Sequence, residues 1–217
     1  MRLGCIHDDA ARIARCAPHV FGAAPIPPTL NRALPPVGLY RNDTLNDCVI
    51  AALANALRAQ SMLLTGADRA TTDDAVLAAF AGFAEVPLDA ISAVPGLQPL
   101  DVIDAIQAAG FQAGGPAPET IRSCATVTTR DGLCDAVMRY GSAPIALDLY
   151  DGDMDGEWTG SPVGGLVGGH MVLARGWTAD GPVLATWGGE RQASWQWVMT
   201  RMVCGYAVNW TIDVPLL

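Results

Sequence analysis

The segment from Asp47 to Leu64 constrains this chain most. Val49, Leu53, Leu57 and Leu64 fall on one helical face and alanines fill much of the rest, so the segment reads as a closely packed helix. Asn46 or Asp47 can cap its start. Its first turn carries Cys48. A helix N-terminus presents unpaired N–H groups and the positive end of the dipole, both of which favour thiolate. The same N–H groups can hold a developing oxyanion, and Asn42, six residues upstream, can add a side-chain N–H. Asp43 and Asp47 act the other way, because a carboxylate disfavours a neighbouring thiolate.

A cysteine nucleophile needs a base, and the sequence offers only His7, His19 and His170. His170 follows a glycine-rich loop and opens the apolar run His-Met-Val-Leu-Ala-Arg-Gly-Trp, which reads as a strand starting at a cleft edge. Cys48 and His170 are therefore the candidate pair.

The remaining pattern places helices first and strands later. Thr72-Asp-Asp-Ala-Val reads as a capped helix start. Pro99 to Ala109, with Gly110 behind it, carries proline in its first turn and glycine just past its end. Asp131 to Tyr140 is a fourth helix. Strands are expected at Ala143 to Tyr150, His170 to Trp177, Pro182 to Trp187, Ser194 to Met199 and Tyr206 to Val214, with a loop from Asp151 to Gly169. The plan is α+β, a helical lobe followed by an antiparallel β lobe. Residues 1–38 read as an extended Pro-rich arm, with one or two helical turns near Asp8 to Cys16. Residues 39–217 read as the folded domain, mainly helical over 39–140 and mainly β over 141–217. The arm either wraps this domain or reaches a protein partner.

Here the chain resembles papain-like cysteine peptidases. The run Asn42-Asp-Thr-Leu-Asn-Asp-Cys48-Val-Ile-Ala-Ala-Leu is similar to their nucleophile helix, with Asn42 where the family has glutamine. His170, Val172, Gly176 and Trp177 fit the family's histidine strand, with Trp for Tyr. Gly141-Ser-Ala-Pro-Ile-Ala-Leu-Asp is similar to the preceding strand, and Ala185-Thr-Trp187-Gly188 corresponds to the Asn-Ser-Trp-Gly turn. These motifs keep the family's order across residues 42 to 188. The resemblance is closer to a branch often encoded by phages and prophages, with Asn46 where that branch has glycine. It implies a papain-like fold, its nucleophile helix packed against an antiparallel sheet or barrel, and a Cys48–His170 hydrolase using Asn42 in its oxyanion hole. The implied substrate is a peptide or peptidoglycan stem in an open groove, with no metal or organic cofactor. The orienting asparagine falls on Ala185, which accepts no hydrogen bond. Thr186 is adjacent, but on a regular strand it faces the other way, leaving a backbone carbonyl or Asp148 as substitutes.

Composition narrows the class further. The net charge of −9, carried against 13 Arg and no Lys, argues against binding a nucleic-acid backbone. Apolar runs such as Val76 to Phe83 are too short to span a bilayer, and the residues after Arg2 do not read as a secretory signal. A cytoplasmic or virion location is the expectation. Cys5, His7, Cys16 and His19 lack zinc-site spacing, and the irregular cysteines give no disulfide framework. Gly164 to Gly169 lack the lysine of a phosphate loop. The acidic run from Asp148 to Glu157 lacks the features of a calcium loop and reads as solvated. Trp177 and Trp187 read as core aromatics. Two functions stay open: a cysteine peptidase or amidase, and a papain-like structural or interaction protein such as a phage-particle component.

Overall fold

The computed structural model describes residues 3–20, 22, 24–115 and 117–212. After a short α1 (Ala10–Arg15), the chain forms α2 (Cys48–Thr65), α3 (Asp73–Phe83), a 3-10 turn (Leu88–Ala93) and α4 (Pro99–Ala109). It continues through β1 (Ile121–Val127), α5 (Arg130–Tyr140), β2 (Ala143–Tyr150), α6 (Asp151–Asp155) and β3 (Leu166–Trp177). It ends with β4 (Pro182–Thr186), β5 (Gly189–Gln192), α7 (Trp195–Arg201) and β6 (Met202–Trp210). The six strands form one antiparallel sheet in the order β1-β6-β2-β3-β4-β5.

Strand alternation divides the core in two. Ala146, Met171, Cys204, Tyr206 and Val208 face α2, α3 and α4, where Val49, Leu53, Leu57, Phe80, Ile103 and Ile106 are buried. Ile145, Leu147, Val172, Ala174, Leu184 and Ala207 face the other way, onto α5 and α7. The length and apolar composition of α2 would suffice to cross a membrane, a property that the sequence reading missed. However, 67% of it is buried inside this core. Cutting Leu53 or Leu57 back to alanine would cost about 2–5 kcal/mol.

Several boundaries differ from expectation. Ser194 to Met199 was expected as a strand but belongs to α7. The Ser194 side chain accepts from the Trp197 N–H, and Trp197, Val198 and Arg201 are buried at helical spacing. The expected 151–169 loop contains α6 and the start of β3. Strand β1 lies within the stretch read as helical. The last predicted strand ends at Trp210, and its expected final residue, Val214, lies outside the described residues.

The N-terminal segment lies against the sheet and helices. Its backbone pairs with Thr126 of β1 and Trp177 of β3. Arg32 donates to the carbonyls of Val137 and Met138, and Gly38 exchanges hydrogen bonds with Asn55 of α2.

Candidate active site

Helix α2 delivers Cys48 to β3. The Met171 N–H donates to Cys48 Sγ at 3.4 Å, which fixes the thiol one residue along the strand from His170. Both side chains are fully buried. His170 Nε2 and Thr186 Oγ1 are hydrogen-bonded at 2.6 Å. The Trp187 indole stacks on the imidazole with centroids 4.5 Å apart and planes at 16°. Nδ1 of His170 is buried without a hydrogen-bond partner, so thiol and imidazole share no hydrogen bond in this state.

The groove expected to be open is closed by the chain's own N-terminal segment. Residues 4–6 run between the two halves of the fold. Cys5 N–H donates to the Gly169 carbonyl at 3.1 Å, Ile6 N–H to the Leu97 carbonyl at 3.0 Å, and Leu97 N–H to the Gly4 carbonyl at 3.0 Å. The approach is as close as backbone permits. A Cβ on Gly4 would lie 1.9 Å from the Asn46 carbonyl oxygen, and one on Gly169 would lie 2.2 Å from that of Cys5. His7 Nε2 pairs with Asp148 Oδ1 at 2.8 Å. The buried Asp8 carboxylate accepts from the Leu100 N–H at 3.2 Å and the Tyr206 hydroxyl at 2.7 Å, capping α4 from outside.

Burial governs the charges. It pushes the Cys48 thiol up to about 12; backbone groups of Met171 and Gly4 pull the other way, and the Asp47 carboxylate adds to the rise. Burial also pushes His170 down to about 3, with the positive charge of Arg191 as a smaller contribution. The pair is therefore neutral thiol and neutral imidazole. This reverses the expectation of a helix-stabilised thiolate: a helix end contributes about 0.3–1 kcal/mol, whereas each pKa unit is worth about 1.4 kcal/mol. Asp47 is buried with both carboxylate oxygens unpartnered, and burial raises it to about 7. Asn42 is buried in the turn before α2; its N–H donates to the Leu39 carbonyl and its Oδ1 has no partner.

Of the two residues considered for the orienting position, Thr186 meets the imidazole and Ala185 does not. Ala185 packs with Leu173 and Ala56 on one face of the sheet. His170 lies on the opposite face, with Val172 and Ala174, and Thr186 follows Leu184 onto that face. Thr186 therefore reaches the imidazole, and Asp148 is engaged by His7 instead. Trp187, expected in the core, is half-buried against His170. Sequence alternation could have placed Thr186, since an even step separates it from Leu184. Nothing in the sequence marked Gly4 and Cys5 as neighbours of the thiol.

The other candidate clusters have structural partners. Cys5 Sγ and His7 Nδ1 lie 3.8 Å apart, while His19 Nε2 bonds Asp135 at 2.6 Å. Among the described residues no group of three metal-ligating side chains forms. In the acidic run, Asp153 is buried and accepts from Arg201, from Trp197 Nε1 at 2.8 Å and from the Tyr150 N–H at 2.9 Å. It is a core staple and not a solvated loop residue.

No family model matches the chain, and no curated protein sequence does. Solved structures match its fold. Xylellain, a cysteine protease from Xylella fastidiosa, superposes with a TM-score of 0.69 at 14% identity, covering 97% of this chain and 96% of that one. Procathepsin B S9 from Trypanosoma congolense gives 0.71 at 11% identity, covering 97% and 87%. Digestive procathepsin L 3 of Tenebrio molitor gives 0.66 at 14%, covering 89% and 73%. The fold is papain-like.

Proposed function

We propose that this chain is a papain-like cysteine peptidase or amidase whose Cys48–His170 pair is kept latent by residues 3–8. The observation that carries the reading is the meeting of Cys48 Sγ with the Met171 amide, beside an imidazole held by Thr186. Once the N-terminal strand leaves, water reaches both groups, the desolvation that holds them neutral is relieved, and a thiolate–imidazolium pair becomes accessible.

Cys48 Sγ then attacks the substrate carbonyl carbon, and its proton passes to His170. The Cys48 N–H and the Asn42 side-chain amide stabilise the oxyanion. The C–N bond breaks as His170 returns the proton to the leaving nitrogen. Water then hydrolyses the thioester, giving the free acid and regenerating the thiol. Thr186 holds the ring, although a hydroxyl both donates and accepts and so fixes the tautomer less firmly than an amide oxygen. Residues 39–217 form the catalytic domain and 1–38 the arm that covers it. An extended strand crossing the cleft suits a peptide or peptidoglycan-stem substrate lying in the same place. The sequence resemblance to phage-encoded relatives suggests a prophage or virion setting.

The experiment compares hydrolysis of a mixed peptide library by the wild type, Gly4→Ala and Gly4→Ala/Cys48→Ala. Cleavage by Gly4→Ala, weak in the wild type and absent in the double variant, is expected. No cleavage by Gly4→Ala, with the strand shown to be displaced, overturns the reading. A second reading is favoured by the complete burial of Cys48 and His170: a papain-like structural or interaction protein, such as a phage-particle component, in which the strand never leaves.

A further inference from the structure

Arg191 stands out among the arginines by its surroundings. Its guanidinium carbon lies 5.1 Å from the Trp158 ring centroid and 5.3 Å from that of Trp187, in the corner made by two indoles at 69°. Trp187 in turn stacks on His170. Other arginines, such as Arg12, Arg58, Arg69, Arg175 and Arg201, pair with carboxylates. Among the described residues no carboxylate or carbonyl accepts from the Arg191 guanidinium. It lines a cleft of about 460 Å³ with Gly156, Glu157, Trp158, Thr159 and Gln192. No residue of the N-terminal strand lines this cleft, so it remains open while the Cys48 site is sealed.

We propose that Arg191 is a carboxylate-binding position for the leaving part of the substrate, giving preference to an acidic side chain or a free C-terminal carboxylate there; this rests on the hydrolase reading above. The indoles hold the guanidinium by cation–π contact and leave its N–H edge free, which suits two parallel hydrogen bonds to a planar carboxylate. The assignment to the leaving side follows from the chemistry. His170 protonates the leaving nitrogen, so the departing segment runs past the imidazole and the Trp187 ring stacked on it. Thr159 adds a neutral polar group to the same wall, whereas the Gln192 amide nitrogen donates to the carbonyls of Gly181, Pro182 and Ala193. Glu157 also lines the cleft but forms no ion pair with Arg191, and it opposes an acidic ligand.

The test uses the full chain with its Arg side-chain Nε resonances observed by NMR, titrated with the tetrapeptide Ala-Asp-Ala-Ala amide and its Ala-Asn-Ala-Ala counterpart. The aspartyl peptide should shift the Arg191 signal and bind about tenfold tighter than the asparaginyl one. The difference should vanish in Arg191→Gln and widen in Glu157→Gln. Equal binding of both peptides, no binding of either, or an effect that survives Arg191→Gln overturns the proposal. This readout needs no turnover. Failure of hydrolysis with selective binding intact counts against the hydrolase reading alone. Hydrolysis by Gly4→Ala that is indifferent to charge on the leaving side counts against the Arg191 proposal alone.

Discussion

Two clefts lie on either side of the His170–Trp187 stack. On one side Cys48 is sealed under residues 4–6, and both members of the pair are driven neutral by burial. On the other, the Arg191 guanidinium sits against the Trp187 indole and lines a cavity that residues 4–6 do not reach. On the proposed reading, the fold separates concealment of a nucleophile from presentation of a recognition group. The difference teaches that a charge held on aromatic faces tolerates partial burial, whereas a thiolate or imidazolium without a charge partner does not.

The largest effect should come from breaking the seal. Gly4→Ala forces a Cβ into the Asn46 carbonyl, and iodoacetamide alkylation of Cys48, followed by peptide mapping, should rise by roughly 100-fold. Arg191→Gln, on the open side, should change that rate less than twofold. Next, in the Gly4→Ala background, His170→Ala should slow Cys48 alkylation near neutral pH by about tenfold or more, because the thiolate loses its imidazolium partner. Thr186→Val should lower kcat on a cleaved peptide by about tenfold with little change in KM, since the ring loses its anchor while substrate contacts stay.

A pH experiment sharpens the same contrast. His170 has its folded-state pKa lowered, so unfolding or opening takes up a proton below about 6.5. The stability it lends the closed state is full above that pH and is lost as pH falls toward about 3. Asp47 has its pKa raised to about 7. Its stabilising contribution is full below the ordinary carboxylate value near 4 and is lost as pH rises through about 7. Asp47→Asn should therefore raise stability by a few kcal/mol at pH 8 and change it little at pH 3.5, as measured by urea unfolding. A stabilisation independent of pH would mean that the Asp47 charge is not the cause.

Much of the fold was legible because local chemistry agreed with tertiary demand. Thr72 caps α3, Pro99 opens α4, and Gly110 follows its end as expected. Helix α7 was misread because Ser194-Trp-Gln-Trp alternates like a strand; the serine cap was the competing signal. In the candidate site, the sequence placed Cys48 at a helix mouth, where α2 begins, and His170 at a strand start, whereas β3 begins earlier, at Leu166. Thr186 was misjudged because the face of His170 was assumed, when Val172 and Ala174 show it to be the face shared with Leu184. The covering strand was not legible. Gly4 and Cys5 carry no periodic pattern, and their contacts with Gly169 and Leu97 span distances along the chain that no local rule reports.

The most direct measurement is the pH profile of Cys48 alkylation in Gly4→Ala, with and without His170. The account predicts a reactive plateau reaching well below the ordinary thiol range, abolished by His170→Ala. A single thiol titration near 8.5, unchanged when His170 is removed, would contradict it.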